Sequence, residues 1–148
     1  MATKSAIRSK GLTQYMKQFN FPKTFKISKI NGSELVELVE SGKFLIDKKY
    51  CKKIIKKNLD QELLQNSIDT ITLSSTHLLF LRSFLKKEYT NVNFIEPGNI
   101  IAKKIFIKIK NNQTKRNSLK IFTSGNVKIF EKKLKKIGIE NKVNFLSV

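Results

Sequence analysis

One stretch of the sequence constrains the fold of this chain most. It is a short apolar run, followed by four polar residues and then by a helical pattern. Residues 71–73 (Ile-Thr-Leu) are typical of a buried parallel strand, and Ser74-Ser75-Thr76-His77 follows immediately. Apolar residues then recur at helical spacing: Leu78, Leu81, Phe84 and Leu85. The pattern predicts a strand whose carboxyl end meets a helix N-terminus, where open α/β sheets bind ligands such as carboxylates.

This junction alone does not identify a binding site. Serine and threonine are preferred at helix N-caps, so Ser74 and Ser75 could equally serve to cap the helix. His77 is the one histidine of the chain and could equally be a surface residue. Both alternatives stay open on these residues alone.

The rest of the chain alternates between strand and helix patterns. Further strands are predicted over residues 24–30, 92–95 and 119–123, and helices over 5–19, 33–41, 47–57, 99–109 and 127–137. Ser33 and Asp47 are the expected N-caps of two of these helices. The alternation predicts an α/β fold with a parallel sheet and flanking helices, independent of any family.

The chain is strongly basic, with 30 Lys and Arg against 11 Asp and Glu among 148 residues, a net charge of +19. Such a charge usually indicates nucleic acid or an anionic membrane as a partner. Against this, almost all cations are lysines spread along every segment, and no aromatic-interleaved basic stripe is evident. Lys, Ile and Asn have A/T-rich codons, so the base composition of the genome is the favoured explanation. We therefore do not expect nucleic acid or membrane as a partner.

Cysteine usage and hydropathy indicate the compartment. Cys51 is the sole cysteine, so no disulfide can form within the chain, and one Cys with one His cannot build a metal cluster. Its place on a Lys-rich helix indicates a structural role. The sequence shows no signal peptide and no apolar run long enough to span a bilayer, which predicts a soluble cytoplasmic protein.

Five segments, in order over nearly the whole chain, match the motifs of one family. Residues 69–81 resemble an apolar strand that ends in Gly-Cys-Thr-His before an aromatic residue, Pro and Leu, and residues 92–98 resemble a strand that ends in Asp-Ser/Pro-Gly. Residues 2–9 are similar to a Gly-Thr-x-Ala-Thr turn, 32–42 to a Cys-Pro-Leu…Leu-Val-Glu helix, and 121–130 to a closing strand and helix. These are the motifs of glutamate racemase, in the aspartate/glutamate racemase superfamily.

The resemblance implies a fold and an activity. Glutamate racemases are cofactor-independent isomerases of two α/β domains, in whose cleft one cysteine removes the α-proton of glutamate and another reprotonates the opposite face. Their product is D-glutamate for peptidoglycan, and hence for cell-wall biogenesis and cell shape. Residues 1–90 would form one racemase-like domain without its first strand, and residues 91–148 the C-terminal strand and helix segments of the other.

Carried over residue by residue, the resemblance assigns substrate contacts to Thr76, His77 and Thr3. His77 would also support acid–base chemistry, oriented by Glu40. Helix caps at the two threonines and a surface charge at Glu40 are the alternatives. Ser75 stands where the motif has its catalytic cysteine, and a serine hydroxyl is too weak an acid to shuttle protons as a thiol does.

The motifs of the family's first half, Asp-Ser-Gly and Cys-Asn-Thr, do not occur in this sequence. We therefore expect an impaired or truncated racemase, or one that a separate N-terminal racemase fragment completes. The other hypotheses are a non-catalytic protein that binds an amino acid or a protein partner and, last, a basic nucleic-acid-binding protein.

Overall fold

The structure is a computed structural model that describes residues 1–18, 21–109 and 118–147. Contacts between residues divide the chain into two units, Met1–Lys103 and Lys104–Val148. The sequence predicts a boundary between residues 90 and 91, whereas the observed division falls later because β2 (Asn93–Ile95) pairs with β1 (Thr70–Thr72) in the first unit. The correspondence of residues 1–90 and 91–148 to two racemase domains stays a prediction.

The sheet of the first unit is parallel. Ile71 of β1 lies opposite Phe94 of β2 in the register. On the other side of β1, the first two residues of the chain add a short extended segment: the Ser74 amide donates to the Met1 carbonyl at 3.0 Å. Ala2 bridges in parallel to Asn31. Four extended segments therefore lie side by side, in the order 30–31, 1–2, 70–74 and 93–95, which confirms the predicted parallel arrangement.

The strand predicted over residues 24–30 is wrong except at its end. Residues 25–29 have no regular secondary structure, and the exposed fractions of Phe25 and Ile27 are 63% and 48%. Only the end of the segment pairs, where the Ala2 amide donates to the Ile30 carbonyl at 3.1 Å. The alternation of apolar and polar residues misleads here because the apolar side chains have no core to face.

The N-terminal helix predicted over 5–19 is two short helices, α1 (Lys4–Arg8) and α2 (Lys10–Gln18). The backbone at Ser9 is extended, with φ −67° and ψ 137°, and the Ser9 hydroxyl accepts a hydrogen bond from the Leu12 amide at 3.1 Å. Serine interrupts the predicted helix because it serves as an N-cap for the second half. Phe19, the predicted last residue, lies outside the described residues.

The core of the first unit lies between the sheet and the helices α3 (Ser33–Glu40), α4 (Lys43–Ile46) and α5 (Lys48–Asn66). Asp47 caps α5 as predicted, accepting from the Tyr50 amide at 2.8 Å. The Lys side chains of α5 predicted to face water are exposed: Lys48, Lys49, Lys52, Lys53, Lys56 and Lys57. The sequence predicts that Tyr50 faces inward, but Tyr50 is exposed, while Ile55 is buried beside Cys51.

A 3₁₀ helix (Thr76–Leu81) and α6 (Arg82–Glu88) follow β1, so the predicted helix begins as the tighter form. Its buried residues include Leu78, Leu81 and Leu85, three of the four that carry the helical spacing. After β2, α7 (Gly98–Ile109) confirms the helix predicted at 99–109.

The second unit contains β3 (Ile121–Thr123), α8 (Val127–Lys136) and β4 (Val143–Phe145). β3 and β4 pair in parallel, with Ile121 opposite Val143. Asn126 caps α8, and Gly138 ends it with a positive φ of 82°, as the sequence predicts. The sequence does not predict β4. The polar loop predicted over 111–117 lies outside the described residues.

Candidate functional site

The carboxyl ends of the four parallel segments meet at one edge of the first unit's sheet. Thr3 follows the 1–2 segment, Gly32 follows 30–31, Ser75 follows the β1 segment and Glu96 follows β2. Because Met1 pairs with Thr72 and Ser74, the 1–2 segment and the β1 segment both end at this edge. The edge where open α/β sheets bind ligands thus carries three residues predicted for the site, Thr3, Ser75 and the adjoining Thr76.

His77 and Glu40 are in contact beside this edge. Nε2 of His77 lies 3.3 Å from Oε1 of Glu40, and the two side chains are 40% and 58% exposed. Glu40 is the last residue of α3, and His77 lies in the first turn of the 3₁₀ helix that packs on α3. The resemblance pairs these two residues, and the structure brings them together; their acid–base role stays a prediction.

Ser75 is half-buried at the junction between β1 and the 3₁₀ helix. Its backbone is extended, with φ −128° and ψ 138°, and its side chain makes no capping hydrogen bond. Ser75 thus occupies the N-cap position of the 3₁₀ helix, but its side chain does not cap the helix by a hydrogen bond. The Ser75 carbonyl instead accepts from the Leu78 amide at 3.1 Å, which fixes the turn that carries Thr76 and His77.

Thr3 is the N-cap of α1, where its Oγ1 accepts from the Ala6 amide at 3.4 Å. The capping alternative is thus observed for Thr3, and its contact with a substrate stays a prediction.

The sequence predicts Ser33 as the cap of α3, but Gly32 occupies that position. The Ser33 hydroxyl accepts from the Lys4 amide at 2.8 Å and so joins the start of α1 to the start of α3. Adding a Cβ at Gly32 would place it 2.9 Å from Cγ of Met1, which shows how closely the segments approach.

The site edge also carries a polar group that sequence reasoning missed. Oε1 of Glu96 accepts from the Asn99 side chain at 3.0 Å and lies 3.8 Å from Nη1 of Arg82. Nε of Arg82 is buried and has no hydrogen-bond partner within the described residues. Glu96 occupies the position where the family's motif has Asp. This match was the one sequence signal that could have identified Glu96 as a site residue.

A shallow cleft lies at the opposite, amino edge of the sheet. Its volume is about 550 Å³, and none of the predicted site residues lines it; its lining includes Asp60, Leu63, Glu88, Tyr89 and Val92. Within it the Tyr89 hydroxyl donates to Oδ1 of Asp60 at 2.6 Å. Burial first, and then this hydrogen bond, raise the pKa of Tyr89. The cleft is therefore distinct from the candidate site, which is open to solvent.

Cys51 is fully buried on α5. Burial, and secondarily the nearby Asp47 carboxylate, raise the pKa of the Cys51 thiol. A buried thiol with a raised pKa is a poor nucleophile, which fits the structural role that the sequence indicates. In the part of the chain that the structure covers, no three or more His, Cys, Asp or Glu side chains come together as a metal site. Nor does any helix there combine the length and apolar character needed to cross a bilayer.

Comparisons with known proteins show which proteins this chain is similar to. No protein-family model matches the chain. It is 35% identical over 98 residues to the glutamate racemase of Persephonella marina, a match that covers 66% of this chain and 36% of that protein. It is 28% identical over 120 residues to the glutamate racemase of Buchnera aphidicola subsp. Schizaphis graminum, covering 80% and 46%. The chain is therefore a partial glutamate racemase-like protein.

A solved structure confirms the fold of this racemase-like chain. The crystal structure of a glutamate racemase isoform from Bacillus anthracis matches with a TM-score of 0.73 and 23% identity, covering 99% of this chain and 56% of that one. The predicted α/β class is thus confirmed. The chain spans about a third to a half of the length of the curated relatives that it matches.

Proposed function

We propose that this racemase-like chain provides one side of a cofactor-independent site that interconverts L- and D-glutamate. The contact between His77 and Glu40 carries the proposal, because it pairs an imidazole with a carboxylate beside the carboxyl edge of a parallel sheet. The glutamate racemases of Persephonella marina and Buchnera support the choice of substrate.

In the proposed step, His77 removes the α-proton. Because Nε2 of His77 lies 3.3 Å from Oε1 of Glu40, we assign Nδ1 as the proton acceptor in this proposal, with the carboxylate stabilising the imidazolium that forms. The C–H bond breaks, its electron pair delocalises into the α-carboxylate, and a proton from the opposite face then forms the new C–H bond. Through the resemblance, that second group is a thiol of the family's other half.

Ser75 acts in this proposal as a hydrogen-bond partner of the substrate, together with Thr76 and Thr3. A thiol has an ordinary pKa near about 8.5, so it can exchange protons close to neutrality, whereas a hydroxyl needs a strong activating base. The Ser75 side chain makes no capping bond that would hold it away from a substrate. We therefore assign proton transfer to His77 and expect the activity to be impaired relative to a thiol enzyme.

The longer relatives contain segments that this chain does not match, and we propose that the activity requires them. They could be supplied by a longer polypeptide or by a separate N-terminal racemase fragment. The test mixes this chain with the uncovered part of the Persephonella marina relative. The exchange is measured by NMR in D₂O, as the loss of the α-proton signal of L-glutamate and, separately, of D-glutamate.

We expect slow exchange by the mixture and none by this chain alone. Ser75→Cys should accelerate exchange by about 100-fold or more, since a positioned acid or base contributes roughly 10²–10⁴-fold. Ser74→Cys is the matched control, because it places a thiol one residue away on the exposed side of the junction. His77→Gln should abolish exchange. Exchange that survives His77→Gln in the Ser75 protein overturns the proposed role of His77.

A non-catalytic amino-acid-binding protein is the second candidate, and the absence of a thiol at Ser75 favours it. Calorimetry with L-glutamate and L-aspartate distinguishes the two functions. Binding of glutamate by the mixture without any α-proton exchange would replace the racemase proposal with this one.

We further propose that the D-glutamate serves peptidoglycan synthesis in the cytoplasm, and thereby the cell wall and cell shape. Rescue of a bacterial strain that requires D-glutamate, by co-expression of this chain with the complementing segment, tests this role. Rescue that persists in the His77→Gln variant would contradict it.

A further inference from the structure

The positive charge of the chain is not distributed evenly. Residues 34–103 contain 11 Lys and Arg and 9 Asp and Glu, a net charge of +2. Residues 1–33 contain seven cations and no carboxylate side chain. An A/T-rich genome accounts for lysines everywhere, but it does not account for the lack of carboxylates in residues 1–33. Residues 104–148 are also strongly basic, with 12 cations and 2 carboxylate side chains, so the contrast in charge lies within the first unit, between residues 1–33 and residues 34–103.

The seven cations of residues 1–33 are free of ion pairs in the part of the structure that is described. All are exposed: Lys4, Arg8, Lys10, Lys17, Lys23, Lys26 and Lys29. Lys29 links two parts of the segment by donating a hydrogen bond to Thr13 Oγ1 at 2.8 Å. By contrast, Lys52, Lys56 and Lys57 on α5 pair with glutamates at 2.8–3.0 Å.

The sequence shows no aromatic-interleaved basic stripe, which argues against nucleic acid, but the structure exposes aromatic side chains among these cations and so reopens that partner. Tyr15, Phe21 and Phe25 are 58%, 44% and 63% exposed, and Ile27 is the one other exposed large apolar residue described in the segment. The rings of Phe21 and Phe25 stack, with their centroids 6.2 Å apart and an interplanar angle of 21°. Aromatic rings among unpaired cations are the combination by which proteins bind single-stranded nucleic acid, through base stacking and phosphate contacts.

We propose that residues 1–18 and 21–33 provide a binding surface for single-stranded nucleic acid. The lysines contact phosphates, and Phe25, the most exposed of the aromatic residues, stacks on a base. A single strand fits better than a membrane surface because, among the described residues of the segment, three of the four exposed large apolar side chains are aromatic rather than aliphatic. This inference does not depend on the racemase proposal, since the lysines and Phe25 that would contact the nucleic acid have no role in that proposal.

The test measures fluorescence anisotropy of a labelled 20-nucleotide oligothymidylate with the full chain at about 150 mM salt. We expect binding that weakens as the salt concentration rises. A plot of the logarithm of the binding constant against the logarithm of the salt concentration should have a slope of about −0.7 for each phosphate contacted. The variant with Lys10, Lys17, Lys23 and Lys26 changed to Glu should bind at least about tenfold more weakly. The matched control changes Lys48, Lys49, Lys53 and Lys86 to Glu, which alters the net charge equally at exposed positions outside the segment. It should lose less than about threefold.

Phe25→Ala should weaken binding by about fivefold or more, and Phe25→Trp should restore it, because stacking contributes about 1–3 kcal/mol per base. Circular dichroism checks that each variant is folded. Equal losses in the two lysine variants, or no binding of the chain at about 150 mM salt, overturn the proposal. Sedimentation with phosphatidylcholine–phosphatidylserine vesicles provides the other arm: binding to vesicles but not to the oligonucleotide identifies a membrane surface instead and also overturns it.

Discussion

Glu40, at the end of α3, lies 3.3 Å from His77 in the 3₁₀ helix that follows β1. The contact links two elements that are distant in sequence and packed together in the core. Both side chains remain substantially exposed, so the pair contributes little to folding and is available to a ligand at the sheet edge.

Glu40→Gln should therefore separate chemistry from stability. We expect the free energy of unfolding to change by less than about 0.5 kcal/mol, as for other exposed ion pairs. Exchange of the glutamate α-proton by the complemented chain should fall about tenfold to 100-fold, because the imidazole loses the group that orients it. Urea denaturation and the NMR exchange assay measure the two effects. A large loss of stability with unchanged exchange would show that the contact is structural.

Leu78 is a core residue next to His77, and Leu78→Ala should destabilise the first unit. The side chain is fully buried, and its Cδ1 is 3.6 Å from where a Cβ on Gly32 would lie. Truncation of such a residue costs about 2–5 kcal/mol in the free energy of unfolding. Leu64→Ala, at a position 82% exposed on α5, is the matched control and should change it by less than about 0.5 kcal/mol. Urea midpoints compare the two, and similar values would contradict the burial of Leu78.

The strand-to-helix junction is predictable from the sequence because burial and helical spacing agree there. β1 and β2 follow from segments whose apolar residues face one core, whereas the contact between His77 and Glu40 does not. The contact is expected from the resemblance rather than from spacing, since no local pattern joins α3 to the residues after β1.

Other features carry no periodic signal that a sequence could reveal. The 1–2 segment pairs with two neighbours, but two residues are too few to show a period. β4 is three residues long and depends on its pairing with β3. Residues 24–30 show the opposite error, because their alternation has the period of a strand while their backbone pairs with another extended segment only at Ile30.

Replacing glycine by alanine should lower the free energy of unfolding at one position and raise it at another, according to the backbone conformation of each glycine. Gly42 has a φ of +71° and open space where a Cβ would lie, so Gly42→Ala should cost about 1 kcal/mol through backbone strain alone. Gly11 lies within α2, also with open space, and Gly11→Ala should stabilise the helix by about 0.5–1 kcal/mol. Thermal and urea denaturation measure both variants. A Gly42→Ala protein as stable as the parent would contradict the left-handed conformation.

Stability at acid pH should depend on Glu88. Hydrogen bonds from Lys52 and then Lys56 hold the pKa of the Glu88 carboxyl below its ordinary value of 4.5. Because the folded state lowers this pKa, the stabilisation is complete above 4.5 and is lost as the pH falls through the lowered value.

Glu88→Gln should therefore be less stable than the parent at neutral pH, and the difference should shrink as the solution is acidified below pH 4.5. Urea unfolding at a series of pH values measures the difference. Glu37→Gln is the matched control, since Glu37 is exposed on α3 and makes no ion pair within the described part of the chain. A gap between the parent and Glu88→Gln that stays constant with pH would show that the two lysine contacts do not stabilise the charged carboxylate.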